Sequence, residues 1–338
     1  MTNAASGQEA EMEELVVVRT YLTEQEIRDE PGFKEDNPVS KDNYLHLIGD
    51  YRLPEQIRCC IQKRAGGGLC KQGHNYGFVV RLKDESVSII GNQCGKNHFD
   101  AESKLARDMA LYTNAKRRKE TLERIAELLK GKDESLVRLR ELGTALLVAQ
   151  SRVDAYRQQF GDACTNQLLR LAQGGTGAVV VMGERVRLDE HGNRSYDSSD
   201  RFSITVGVLR GTAVFRPNQF RSAQADIRKV AGAFDKAQQM DGNERTSELA
   251  SVAADIGDFV RVVDVCEDLL TAEQDFASTD WSPLPFLVRD LSDQYKLARV
   301  ACAHAGHPGS KDAAKYWLQT LERALKSQYG VDRLSRAY

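Results

Sequence analysis

The 338-residue chain has no run of about eighteen apolar residues, the length a helix needs to cross a bilayer, so no membrane span is expected. Residues 1–14 carry four glutamates, and only the short apolar run 15–18 follows. That is not the basic-then-apolar pattern of a secretory leader, and a cytoplasmic location is the expectation. Cysteine and histidine are scarce, 7 and 6 in all, and an odd number of cysteines does not suggest a disulfide framework. The length allows two or three units, each with its own core, so no such framework is required. Cys164, Cys266 and Cys302 stand alone in helical stretches and read as core fillers.

Motifs of several enzyme classes are missing too. There is no Gly-x-Ser-x-Gly, no His-Glu-x-x-His, no P-loop and no paired-carboxylate pattern, which argues against an enzyme without addressing catalytic residues scattered along the chain. Gly174, Gly175 and Gly177 follow a helical stretch and precede a strand-like one, the reverse of the strand–loop–helix order that a phosphate loop needs. No constant repeat of about 30 to 50 residues emerges.

What is present is an uneven distribution of charge and of metal-ligating side chains. Residues 1–50 hold 4 Lys/Arg against 12 Asp/Glu, residues 51–100 hold 8 against 4, and residues 101–172 hold 14 against 10. The basic middle permits an anion-binding face, weaker than that of a dedicated nucleic-acid module. Four of the seven cysteines and two of the six histidines fall within residues 59–98. Cys70-Lys-Gln-Gly-His74 sets a thiol and an imidazole on either side of a turn that Gly73 is expected to provide. Residues 77–82 and 87–90 read as two strands joined by a polar four-residue loop. A helix is expected to begin near Gly91, and on it Cys94 and His98, four apart, share a face.

This order of knuckle, hairpin and helix resembles a treble-clef zinc finger over residues 60–99. The resemblance implies a tetrahedral Zn²⁺ held by thiolates and imidazole. The preferred ligands are Cys60, Cys70, His74 and Cys94, with His98 as the alternate fourth. Cys59 is the least favoured, because strand alternation sends it and Cys60 to opposite sides. The plain alternatives are buried free cysteines and a core histidine at His98. Four ligands make a closed, structural site, and no nearby carboxylate has the spacing of a general base.

The expected fold class is α+β, mainly α. An acidic tail at 1–14, disordered by composition, precedes an N-terminal α+β domain over 15–100, with a strand over 15–22, a capping box from Thr23 to Glu26 and the finger at 60–99. Long helices over 101–172 follow, a candidate coiled-coil hairpin in which Leu105, Met109, Tyr112, Leu122, Ile125 and Leu129 keep helical spacing. A small antiparallel β insertion is expected over 173–217, with strands that include 212–215, and a helical region over 218–338.

Two function classes follow, and a third ranks below them. The first is a non-catalytic zinc-finger protein that binds DNA or RNA through the finger, with Lys96, and the adjoining basic helix, with Lys116, Arg117, Arg118 and Lys119. Those four helical cations fan out at about 100° each, and Glu120 and Glu123 offset them, so a solvated face is the competing reading. The second class is a protein-interaction scaffold with a purely structural zinc, assembling as a homo-oligomer or with another protein through its helical arms. The third is a metal-dependent nuclease.

Overall fold

The computed structural model describes all residues except 1–17, 64–67, 100–101, 189–190, 192–193, 196–199 and 337–338. The expected acidic tail and part of the expected strand over 15–22 therefore lie outside the described residues. The described chain is α+β and mainly helical. It divides into two compact units, Met1–Lys130 with Lys236–Ala254, and Gly131–Asp235 with Asp255–Tyr338.

The first unit is built on a four-stranded sheet in the order β1 (Thr20–Tyr21), β2 (Tyr44–Arg58), β3 (Gly73–Leu82) and β4 (Val87–Gly91). β1 runs parallel to β2, and the other neighbours are antiparallel. Helix α1 (Glu24–Arg28) starts at Thr23, whose hydroxyl accepts the Glu26 amide at 3.2 Å. The β3–β4 hairpin forms where the alternating apolar runs predict it, and Asp84 accepts the Ser86 amide at 3.1 Å in its turn. All five residues of β4 are buried. That strand would be an exposed edge, but the preceding loops cover it: Lys34 donates to the Val87 carbonyl at 3.2 Å and Cys60 to the Ile89 carbonyl at 3.1 Å.

β2 is the irregular member. Arg52 pairs with Tyr76 and Ile57 with His74, so residues 53–56 form a bulge. Pro54, which has no N–H to give the ladder, sits in it, and the Asn75 side-chain Nδ2 donates to the freed carbonyls of Leu53 and Pro54, each at 3.0 Å. The bulge sets the direction in which the chain leaves β2 towards Cys59.

Helix α2 (Asn92–His98) follows β4 directly, and α3 (Lys104–Leu129) is capped by the Ser103 hydroxyl, which accepts the Ala106 amide at 3.2 Å. Leu105, Met109 and Tyr112 of α3 are buried with the sheet core. The Tyr112 hydroxyl accepts the amides of Arg19 and Asp50, both at 3.1 Å, and lies 2.9 Å from the Asp50 carboxylate.

In the second unit, α4 (Lys132–Phe160) and α5 (Asp162–Gly174) meet at Gly161, whose φ of +80° interrupts the helical run. After Gly175 and Gly177 come β5 (Ala178–Glu184), the short pair β6 (Arg187–Leu188) and β7 (Arg194–Ser195), and β8 (Arg201–Val208). Thr212–Phe215, expected as a strand, is instead a 3₁₀ turn entered through Gly211 at φ +64°. Four apolar residues are too few for periodicity to separate the two, and Gly211 must also fit against the Ala272 carbonyl, where a Cβ would lie 2.0 Å away.

Helices α6 (Gln219–Gln239), α7 (Thr246–Gly257), α8 (Phe259–Ser278), α9 (Leu291–His304) and α10 (Lys311–Tyr329) complete the helical set. The sheet of the second unit is closed by β9 (Arg333–Arg336), which gives the order β8-β5-β9. It is therefore completed from the far end of the sequence, whereas a local insertion was expected. Phe160, Phe215, Phe276 and Trp281 form its aromatic centre, with ring centroids as close as 4.8 Å. His304 stacks on Trp281 at 3.8 Å, and Cys164, Cys266 and Cys302 are buried free thiols.

Tyr112→Phe deletes the hydroxyl that joins α3 to β2 and to the residue preceding β1, and with it the hydrogen bonds to the Arg19 and Asp50 amides and to the Asp50 carboxylate. The loss of these part-buried hydrogen bonds is expected to lower stability by about 0.5–1.5 kcal/mol. Chemical denaturation of the full chain checks this, and a midpoint equal to wild type would contradict it.

Candidate metal centre

The end of β2, the start of β3 and the first turn of α2 meet at one corner of the first unit, and each brings a cysteine. The sulfurs of Cys59, Cys70 and Cys94 all lie within 4.8 Å of one another, and among the described residues these three form a group that can hold a metal ion. Cys70 Sγ is 3.4 Å from Cys94 Sγ. That is too far for a disulfide, whose sulfurs are about 2.05 Å apart, and close to the spacing of about 3.8 Å that sulfurs take around a tetrahedral ion with bonds of about 2.3 Å. His74 Nε2 lies 3.1 Å from Cys94 Sγ. The Gln72 side-chain carbonyl is 3.7 Å from that sulfur.

Each side chain arrives for a local reason. Cys59 is the first residue after β2, and its backbone is locked to the far side of the loop: its amide donates to the Gln72 carbonyl at 2.9 Å, and its carbonyl accepts the Lys71 amide at 3.0 Å. Its sulfur accepts the Gly91 amide at 3.3 Å, a polar contact that suits a thiolate. Cys70 is held by its amide to the Ile61 carbonyl at 2.8 Å. The tight residue in the turn is Lys71, at φ +53°; Gly73, expected to provide it, is the first residue of β3. His74 is therefore a strand residue, and it packs against Gly91, where a Cβ would lie 2.3 Å from the imidazole ring. Gly91 has an ordinary extended backbone, so glycine is needed there for space alone.

The expected residues separate in space. Cys70 and Cys94 come together, joined by Cys59, which sequence reasoning favoured least; His74 lies outside the three-sulfur group and meets it through Cys94 alone, at 3.1 Å. Cys60 is buried in the same core, with its sulfur directed to the Arg58 carbonyl at 3.7 Å, outside the three-sulfur group. His98 is half-buried at the end of α2 and is also outside that group. Strand alternation does separate Cys59 from Cys60, but both are nearly inaccessible, at 1% and 4%, so burial alone does not say which side holds the site.

Electrostatically the corner is apolar and crowded with thiols. Burial pushes the Cys94 thiol well above its ordinary range, and neighbouring Cys70 and Cys59 add to the rise. Burial raises Cys59 as well, and it lowers His74. Burial thus disfavours the charged forms of Cys94, Cys59 and His74, and a bound cation would supply the positive charge that lets clustered thiols ionise.

The cations expected to touch nucleic acid are in different situations. Lys96 is exposed on α2. On α3, Lys116 Nζ reaches Asp50 Oδ2 at 2.5 Å and Thr20 Oγ1 at 2.9 Å, and Arg118 donates to the carbonyls of Gly242 and Glu244. Arg117 and Lys119 are exposed on that helix. Compared with protein-family models, curated proteins and solved structures, the chain matches none.

Replacing Cys59 or Cys94 by serine is expected to remove most of the bound metal from purified protein, while Cys60→Ser retains it. Elemental analysis of the three variants checks this. Metal lost from Cys60→Ser and kept in Cys59→Ser would reverse the assignment.

Proposed function

We propose that the first unit carries one structural zinc ion, with Cys59, Cys70, His74 and Cys94 as ligands, and that this treble-clef-like finger binds nucleic acid without catalysing a reaction. The observation that carries the reading is the convergence of three sulfurs within 4.8 Å of one another, with an imidazole nitrogen 3.1 Å from one of them. Soft thiolates with a borderline imidazole favour Zn²⁺ over Mg²⁺ or Ca²⁺. Four protein ligands leave no position for a water, which is the arrangement of a structural site.

The order of elements also supports a treble-clef relationship. A sulfur follows β2, a sulfur and an imidazole flank the entry to β3, the β3–β4 hairpin comes next, and the last sulfur lies in the first turn of α2. The spacing departs from the simplest form, because eleven positions separate Cys59 from Cys70. Zinc in this unit would fasten a loop onto a sheet that already has its own core. Its removal is therefore expected to loosen one corner and leave the unit folded.

Nucleic acid is the partner favoured by charge. Residues 60–99 hold 6 Lys/Arg and 2 Asp/Glu, so the finger is basic in a chain whose net charge is -2. The engagement of Lys116 and Arg118 by groups of their own unit shifts the weight of the proposal from α3 to the finger itself.

Purified protein is expected to contain about one zinc per chain, and a strong chelator to lower its thermal midpoint. His74→Ala should weaken zinc retention more than His98→Ala. The zinc-loaded chain should bind DNA or RNA with affinity that falls steeply as salt rises. Wild-type protein without zinc would overturn the metal assignment. Zinc-loaded protein that binds neither nucleic acid at about 50 mM salt would overturn the partner.

A further inference from the structure

The three clustered cysteines bring their neighbours with them. Arg58 precedes Cys59, Lys71 follows Cys70, and Lys96 lies two residues after Cys94. Successive Cα atoms are about 3.8 Å apart, so residues one or two steps from sulfurs that meet within 4.8 Å are gathered around the same corner. All three cations are exposed, as is Lys63 in the same loop, and Glu55 is the one carboxylate between residues 51 and 82. Widely spaced in sequence, these cations have backbone positions that the fold brings to one corner.

A second observation is aromatic. Tyr76 is 57% exposed, on a strand whose neighbouring residues Phe78 to Val80 are buried. It is two positions from His74 and so on the same face of β3, about 7 Å along the strand. Arg52 stands opposite it in the β2–β3 register, and the guanidinium carbon lies 5.5 Å from the ring centroid. An exposed ring steadied by an arginine, beside a set of exposed cations, is the combination that binds unpaired nucleic acid: the cations follow the phosphates and the ring stacks on a base. A duplex keeps its base faces covered and would use the cations alone.

We propose that this corner of the first unit is a single-strand nucleic-acid surface, in which Arg58, Lys71 and Lys96 contact phosphates and Tyr76, steadied by Arg52, stacks on a base. The proposal rests on the nucleic-acid reading above and names the form of nucleic acid and the contact residues.

The test is a fluorescence-anisotropy titration of the full zinc-loaded chain with single-stranded DNA, single-stranded RNA and duplex DNA of one length over a range of salt, with zinc measured for every variant. Wild type is expected to bind a single strand more tightly than duplex. Tyr76→Ala should weaken single-strand binding about 5- to 150-fold with zinc content unchanged. The Arg58→Glu/Lys71→Glu double variant should reduce the slope of log affinity against log salt by about 1.4, the share of two phosphates. The Arg117→Glu/Lys119→Glu variant on α3 changes net charge equally and should have the smaller effect.

If wild type binds and Tyr76→Ala binds as wild type does, the surface is wrong and the nucleic-acid reading survives. A larger loss from the α3 variant, or preference for duplex, has the same meaning. Should the double variant lose zinc, Tyr76→Ala and Lys96→Glu decide in its place. If wild type binds no nucleic acid but binds a poly-glutamate peptide, an acidic protein is the partner, and both this surface and the nucleic-acid reading fall.

Discussion

The contact on which the corner depends is the one between Cys59 and Gly91, where the sulfur at the end of β2 accepts the amide that precedes α2 at 3.3 Å. It joins elements that are thirty-two residues apart and fixes the distance between the end of one strand and the start of the helix carrying Cys94. Everything else at the site is set against that link. The bulge at residues 53–56 lets β2 reach it, Asn75 covers the carbonyls the bulge exposes, and the missing Cβ of Gly91 gives His74 its place. A side chain at Gly91 would drive the imidazole away from Cys94 without altering any of the four candidate ligands.

Local sequence patterns carried the parts of this unit whose structure is local. The β3–β4 hairpin, the helix that follows it and the capped start of α1 could be read from alternation, turn composition and a Thr-x-x-Glu pattern. The choice between Cys59 and Cys60 could not be read in this way. Alternation says that adjacent residues face apart, but both faces are buried here, one towards the sulfur group and one towards the loop covering β4. The same limit explains β9. Its four residues, Arg-Leu-Ser-Arg, have little strand character of their own, and they form a strand because Val181 to Glu184 offer a free edge about 150 positions earlier.

Charge shows the reverse error. The densest basic run in the sequence lies on α3, yet its members point in different directions, and two are engaged by Asp50 and by the carbonyls of Gly242 and Glu244. Density along a chain becomes density on a surface only when the backbone brings the residues to one side. At the cysteine corner the backbone brings the chain positions of Arg58, Lys71 and Lys96 near one another, a grouping that no window of sequence would have made.

The cations proposed to contact phosphates could instead serve to offset the charge of a metal–thiolate centre, and the balance of charge limits that alternative. Three thiolates, a neutral imidazole and a divalent ion together carry one negative charge, which one neighbouring cation offsets. Three exposed cations exceed that need, and Lys63 increases the excess. Exposure matters as well: groups that served mainly to stabilise buried thiolates would gain by lying against them in a low dielectric, not in water where their field is screened. Neither argument accounts for Tyr76, a ring held open to solvent beside Arg52 on the imidazole face of β3. A purely structural metal centre has no use for that ring, whereas a surface that takes unpaired bases does.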